Sequence, residues 1–145
     1  MNVDREEVSV ALFNLVKEAY PWNKSERATK IFSNVPLANM PYCSLLHSHE
    51  LPLENTFGLT KWSMNYLLFI LVRADSLINS ATYPDTTINE ILNAIELALR
   101  PHAGERQTLG GLVYHAWISG GVEINAAIID QQIVILVPIT VRTGS

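Results

Sequence analysis

The chain has 145 residues, a length that fits one domain built around one hydrophobic core. Hydrophobic residues make up 48% of it, and the formal net charge of −4 disfavours duplex nucleic acid as a partner, because that binding needs clustered Lys and Arg. Cys43 is the single cysteine, so neither an intrachain disulfide nor a paired-cysteine metal motif can form.

The N-terminus is acidic where a secretory signal peptide is basic and then apolar, so we expect no export by that route. The most apolar run, Tyr66 to Val72, has seven residues. A helix that spans a bilayer needs about 20. We therefore expect a soluble protein from a reducing compartment.

The first half of the chain predicts one helix and two strands. Apolar residues recur with helical spacing from Val8 to Ala19, Asp4 and Glu7 form a variant of the capping box, and Pro21 ends the helix. A strand is predicted near residues 41–47. Residues 50–60 contain Pro, Asn and Gly without periodicity, which predicts a loop. Residues 61–73 predict a central strand that is apolar on both faces in its second half.

The second half predicts a helix and three strands. Residues 75–86 are a polar connection, after which a capping box at residues 87–90 begins the helix and Pro101 follows it. Strands at 112–118 and 122–125 flank Gly120 and Gly121, which predicts a tight hairpin with positive φ at the glycines. The last strand, 131–141, places alternate residues on each face, so its middle is predicted to be buried on both sides. Pro138 belongs at a bulge, a strand end or a sheet edge.

Together these elements predict a single α+β domain over residues 1–145, in the order α-β-β-α-β-β-β. The sheet is predicted to be mixed and mainly antiparallel, with four to five strands packed against two main helices.

The sequence contains no firm candidate for a catalytic or metal site. His47 and His49 are predicted to share one face of a strand beside Glu50, but no further ligand stands at a metal-site spacing, so no metal is predicted. Cys43 could pair with His47 or His115 as a nucleophile, yet its apolar segment favours a small buried thiol. We predict no catalytic residue, no cofactor and no enzymatic activity.

Three other features have simple structural interpretations. The glycines at 110 and 111 match neither the phosphate-binding loop nor the dinucleotide fingerprint. Lys24, Arg27 and Lys30 recur every three residues and would form a basic stripe on a helical turn, usually solvated but able to dock on an acidic partner. The tryptophans at 22, 62 and 117 are core or interface anchors.

The order and spacing of several segments resemble a known family. Two long segments match that family: Gln107-Thr108-Leu109-Gly110-Gly111-Leu112-Val113-Tyr114-His115-Ala116-Trp117-Ile118 and Gln131-Gln132-Ile133-Val134-Ile135-Leu136-Val137-Pro138-Ile139. Shorter matches occur in the same order as in the family: Arg5-Glu6, Val35-Pro36, Pro41, Gly58, Lys61-Trp62 and the run 93–99 before Pro101. The chain resembles the tail-terminator, or tail-completion, proteins of long-tailed bacteriophages. The resemblance covers nearly the whole chain, and residues 45–57 diverge from it.

That resemblance implies a structural protein of the virion tail, assembled in the host cytoplasm. Its members form a hexameric ring that caps the head-proximal end of the tail tube, stops tube polymerisation and offers a surface to the filled head. The implied partners are further copies of the chain, the tail tube protein and the head-tail connector proteins, with no membrane and no sequence-specific nucleic acid.

Loop length and the basic stripe give the candidate contact residues. These are Lys24, Arg27, Lys30, Asp75, Asn79, Asp85, Glu105, Arg106, Gln107 and Thr108. Two other interpretations stay open: a head-tail connector or other virion assembly factor, and a small metal-dependent hydrolase that uses the histidine-rich segment.

Overall fold

The structure is a computed structural model, and it describes residues 4–27, 35–56, 59–73, 84–101, 105–129 and 132–144. The elements follow one another as α1 (Arg5–Ala19), β1 (Lys24–Glu26), β2 (Tyr42–Thr56), β3 (Leu59–Arg73), α2 (Pro84–Leu99), β4 (His115–Ile118), β5 (Glu123–Ile129) and β6 (Gln132–Arg142). A short 3₁₀ turn, Leu37–Asn39, lies between β1 and β2. The α+β prediction is confirmed, and the sheet has six strands where four to five were predicted.

One mixed sheet contains every strand of the described ranges, in the spatial order β1-β2-β3-β6-β4, with β5 also paired to β6. The β1–β2 pair is parallel and the other pairs are antiparallel. Because β3 lies between β2 and β6, the prediction of a central strand at 61–73 is confirmed.

The strands β4 and β5 lie end to end along the same side of β6. Ile118 pairs with Ile139 and Glu123 pairs with Leu136, so the pairing shifts by two residues between them. Pro138 lies opposite this break, where Ser119 donates to its carbonyl oxygen at 3.0 Å and the proline has no N–H to return. The predicted hairpin at the glycines is therefore wrong: the segment is an interruption in one line of pairing, and Pro138 stands at that irregularity as predicted.

Helix α1 begins where the sequence predicts. The Asp4 side chain accepts hydrogen bonds from the amides of Glu6 and Glu7, at 3.0 and 3.1 Å, which satisfies two free donors of the first turn. Helix α2 begins at Pro84 and so includes the predicted capping box inside the helix. Proline is well suited to a first helical turn because it has no N–H to leave unpaired.

The main core lies between the two helices and one face of the sheet. Helix α1 contributes Val8, Leu12 and Val16, and the alternate β6 residues Ile133, Ile135, Val137, Ile139 and Val141 are all buried. The prediction of one apolar β6 face is therefore confirmed. In the described ranges, no helix is long and apolar enough to cross a membrane.

Two local predictions, the loop at 50–60 and the strand at 112–118, differ from the observed strand pairing. Strand β2 continues to Thr56 and β3 begins at Leu59, so most of the predicted loop at 50–60 is a long hairpin. Pro52 fits there because this stretch of β2 has no described strand on its outer side, and edge strands tolerate proline.

The predicted strand at 112–118 begins only at His115. The residues before it form a turn in which Leu109, Gly110 and Gly111 have φ values of 51°, 76° and 92°. Left-handed backbone of this kind favours glycine. Positive φ therefore occurs at these glycines and not at Gly120 or Gly121.

Candidate functional site

The sheet face opposite the helices carries an apolar patch. Strand register places Leu46, Leu67 and Pro138 in one row and Phe69 beside Leu136 in the next. Because alternate residues of a strand share a face, these five side chains form one surface, which we call the open face. Each is half-buried, and none belongs to a core cluster of the described chain.

A small second core closes one end of that face. Val35 and Met40, which flank the 3₁₀ turn, pack against Tyr42 and Leu71, and Val134 lies partly buried beside them. Leu136, on the same face, is only half-buried. The prediction that the middle of β6 is buried on both sides therefore holds only in part: Val134 packs against the second core, whereas Leu136 is half-buried outside it, because both helices pack on the other face.

The β2–β3 hairpin extends past the sheet as an arm, formed by residues 51–56 and 59–61. Pairing of β3 with β6 stops at Ser63, so the arm strands pair with each other. Leu51 and Leu53 on the arm are 54% and 49% exposed. A single exposed leucine is ordinary. A bulge at Leu53 interrupts the alternation of side chains, but two exposed leucines within three residues make the arm a candidate contact surface.

Helix α1 holds the base of the arm. Arg5 Nε donates to both carboxylate oxygens of Glu50, at 3.0 and 2.9 Å, and the guanidinium lies 5.1 Å from the ring centroid of Trp62. Hydrogen bonding to Glu50 raises the pKa of Arg5, so the guanidinium keeps its charge. These contacts join α1 to the base of the arm.

A polar cluster continues from Glu50 into the core. His47 stacks on Tyr66 with ring centroids 4.6 Å apart. Its Nε2 lies 3.0 Å from Glu50 Oε2, but the geometry of this contact is not that of a hydrogen bond. The Tyr66 hydroxyl is 2.8 Å from Ser9 Oγ, and burial raises the pKa of Tyr66. The cluster therefore joins α1 to the sheet.

The histidines do not converge as the sequence suggests. His47 pairs with Tyr66 and His49 with Asn65, because a bulge at Ser48 places the two imidazoles on opposite faces. The predicted shared face is wrong. Across the described ranges, no group of three or more His, Cys, Asp or Glu residues could hold a metal ion.

Cys43 is fully buried, which confirms the prediction of a buried thiol. Burial raises the pKa of this thiol to about 12, so it stays protonated at neutral pH. The thiolate is the nucleophilic form of cysteine, and Cys43 is therefore unreactive in the folded chain.

A groove of about 390 Å³ lies between the C-terminus of α2 and strand β4. It is lined by Glu96, Leu99, Arg100, Pro101, Glu105, Arg106 and the β4 residues His115 to Ile118. Leu99 and Ala116 are buried in its floor, whereas Arg100 and Glu96, 3.8 Å apart, are exposed at its mouth. The groove thus has an apolar floor and a charged rim.

The loop 105–108 shapes that groove. Arg106 lies 4.2 Å from the ring centroid of Tyr114 and donates from Nε to its carbonyl oxygen at 3.1 Å. The Gln107 amide donates to His115 Nδ1 at 3.1 Å, and Thr108 Oγ1 accepts from the Gly111 amide at 3.2 Å. Of the four predicted contact residues in this loop, Glu105 and Arg106 line the groove, whereas Gln107 and Thr108 bond to His115 and Gly111 beside it.

The predicted basic stripe has a different structure. Lys24 lies in strand β1, not on a helical turn, and sits 3.5 Å from Glu26. Arg27 donates to both carboxylate oxygens of Glu6, at 2.9 and 2.7 Å, and this hydrogen bonding lowers the pKa of Glu6. Both cations are thus paired within the chain.

Three predicted contact residues, Lys30, Asp75 and Asn79, lie outside the described residues, and Asp85 is described only as backbone in the first turn of α2. Sequence reasoning missed the arm leucines and the open face. The signal for the open face was present as alternate apolar residues in β3 and β6, but it was interpreted as burial on both sides. No protein-family model matches the chain, and no curated protein matches it.

Proposed function

We propose that this chain is a non-enzymatic structural subunit, that its copies assemble into a ring, and that the ring caps the head-proximal end of a long phage tail tube. The observation that carries the proposal is the open face. It carries the half-buried apolar side chains of Leu46, Leu67, Phe69, Leu136 and Pro138 on a sheet whose other face holds the core. Contiguous apolar surface of this kind is typical of protein–protein contacts.

The sheet also offers two different edges. On one side, the described part of β2 beyond Ser44 has no strand beside it, and on the other side β4 and β5 are the last strands. Unpaired edges favour pairing with another chain. Contacts between two different patches are heterologous and close into a ring when the rotation between copies is right.

The tail assignment comes from the resemblance of residues 107–118 and 131–139 to tail-terminator proteins. In that role a hexamer ends tube polymerisation and gives the head-tail connector proteins a surface to bind. The partners are further copies of the chain, the tail tube protein and the connectors, and the mature protein resides in the virion tail after assembly in the host cytoplasm.

Disruption of the reading frame in its phage tests this function. We expect overlong, headless or disordered tails in electron micrographs, because tube growth then has no terminator. Normal tails joined to heads would contradict the proposal. A plasmid copy of the wild-type chain should restore normal particles, which controls for effects on neighbouring genes.

A connector or assembly factor is the second candidate, since the same open face would suit a different virion contact. Mass spectrometry of purified virions separates the cases. A terminator remains in the particle at ring stoichiometry, whereas an assembly factor that leaves the virion is absent from it.

A further inference from the structure

The arm and the groove lie at opposite lateral edges of the sheet, and both are near the same end of its strands. Strand β4 pairs with β6 up to Arg142, which pairs with Ser63 of β3, and the arm continues from that point. The order of strands places β3 and β6 between β2 and β4. At ~4.8 Å per strand, the lateral separation is roughly 14 Å, and the arm runs along the strands and not across them.

We propose that the arm of one copy docks in the groove between α2 and β4 of the next copy. The occupant of the groove is therefore a second copy of this chain. The inference deepens the proposed ring, and it rests on that function for the choice of a second copy over another partner. One arm and one groove per copy make a head-to-tail contact, the type that a closed ring requires.

The apolar parts of the two surfaces match. The arm presents Leu51 and Leu53, each about half exposed, and the groove has Leu99 and Ala116 in its floor beside Ile118. Apolar side chains that enter a concave site lined by apolar atoms lose their contact with water, which is the main favourable term in association. Docking would thus cover the two leucines that the single chain leaves exposed.

The charges around the apolar parts also match. Glu54 and Lys61 lie 3.5 Å apart on the arm, and Glu96 and Arg100 lie 3.8 Å apart at the groove mouth. Each surface therefore presents one carboxylate and one cation beside its apolar residues. When the surfaces meet, Glu54 can exchange Lys61 for Arg100 while Lys61 pairs with Glu96, so these four charges keep partners of opposite sign.

The backbone of both surfaces favours the same contact. Strand β2 along the arm has an outer edge that no described strand covers. On the groove side, the Gln107 carbonyl oxygen accepts from the Ala116 amide at 2.9 Å. Among the described residues, no strand lies beside Ile118 on the outer edge of β4. Addition of an extended strand to such an edge satisfies its N–H and C=O groups.

Preorganisation makes the arm an effective ligand. The Arg5–Glu50 hydrogen bonds and the contact of Arg5 with Trp62 hold its base against α1 before any partner binds. A segment that is already ordered loses less conformational entropy on binding. The exposed leucines are therefore presented in a defined direction.

Sedimentation velocity over a range of protein concentrations tests the arm. The double variant Leu51→Ser/Leu53→Ser should associate at least about tenfold more weakly than the wild type, because it removes two apolar anchors. Leu97→Ser is the matched control: this leucine is 63% exposed on α2, and its removal should leave association unchanged. Equal association of the double variant and the wild type, or a wild type that stays monomeric at millimolar concentration, would overturn the proposal.

Crosslinking tests the pairing of the two surfaces. We expect Leu53→Cys and Arg100→Cys, mixed as separate proteins and treated with a short bismaleimide, to give a crosslinked dimer, and a chain with both cysteines to give a ladder of multimers. The native Cys43 is buried and should not react. A dimer formed by Leu53→Cys alone would show a tip-to-tip contact and overturn the head-to-tail arrangement.

The two proposals can fail separately. A crosslinked ladder together with normal tails in the disrupted phage would retain the arm-and-groove contact and reject the terminator function. Aberrant tails in the disrupted phage without any crosslink would reject the contact and retain the function.

Discussion

The hydrogen bond between Ser9 and Tyr66 shows how a single pair of residues joins a helix to the central strand. The two oxygens are 2.8 Å apart, and the residues are 7% and 2% exposed. A buried hydroxyl that loses its partner still has no contact with water, so its desolvation cost remains. Removal of one partner should therefore be more harmful than removal of both.

We expect Ser9→Ala to lower the free energy of unfolding by about 1–3 kcal/mol, because the Tyr66 hydroxyl is left buried without a partner. The double variant Ser9→Ala/Tyr66→Phe should be more stable than Ser9→Ala alone. Urea unfolding of the wild type, the two single variants and the double variant gives the coupling free energy directly. Additive losses with no coupling would contradict this account.

Elements were predicted well from the sequence where the signal was local. The Asp4 cap and the helical spacing after Val8 set α1, and strict alternation from Ile133 set the core face of β6. Local signals failed where strand pairing decided the outcome. Residues 50–56 carry Pro52 and no periodicity, yet they form a strand because β3 pairs along them.

The candidate site was harder to predict than the fold for the same reason. The bulge at Ser48 places the side chains of His47 and His49 on opposite faces of β2. The local sequence pattern does not predict such a bulge. The open face depends on which side of the sheet the helices pack, a tertiary choice that alternating apolar residues leave undecided. The groove residues Glu105 and Arg106 were identified by loop length, but only strand order places them across the sheet from the arm.

The arm is an element whose direction depends on Arg5. We expect Arg5→Met, which removes the guanidinium and keeps an aliphatic chain, to increase amide hydrogen exchange several-fold at residues 51–56. Exchange in the paired centre of β3 should stay unchanged, because an exposed ion pair contributes only about 0–1 kcal/mol to global stability. Hydrogen-exchange mass spectrometry measures both regions at once.

Lys24→Met is the matched control for that experiment. It removes an exposed cation that also pairs with a glutamate, Glu26, but in β1, which pairs with β2 at residues 42–44 and not along the arm. The arm amides should exchange at the wild-type rate in this variant. Equal acceleration in both variants would mean that Arg5 acts through general stability and not through the base of the arm.

At the scale of the whole molecule, the sheet has two apolar faces that differ in burial. The face beneath the helices holds the core, and Leu68 there is fully buried. The neighbouring residue, Leu67, belongs to the open face and is half-buried. Adjacent leucines of one strand therefore distinguish the core from the face that the proposed assembly would use.

Alanine at each of these positions should give opposite results in two measurements. Leu68→Ala should lower the free energy of unfolding by about 2–5 kcal/mol, because it leaves a cavity in the core. Leu67→Ala removes fewer contacts and should cost about 1 kcal/mol in the monomer, since part of this side chain is already in water. Its larger effect should be on self-association in sedimentation velocity, if the open face is a further surface of contact between copies beside the arm and the groove. Equal losses of monomer stability would show that the open face is already covered within one chain, and the ring would then lack the surface that supports it.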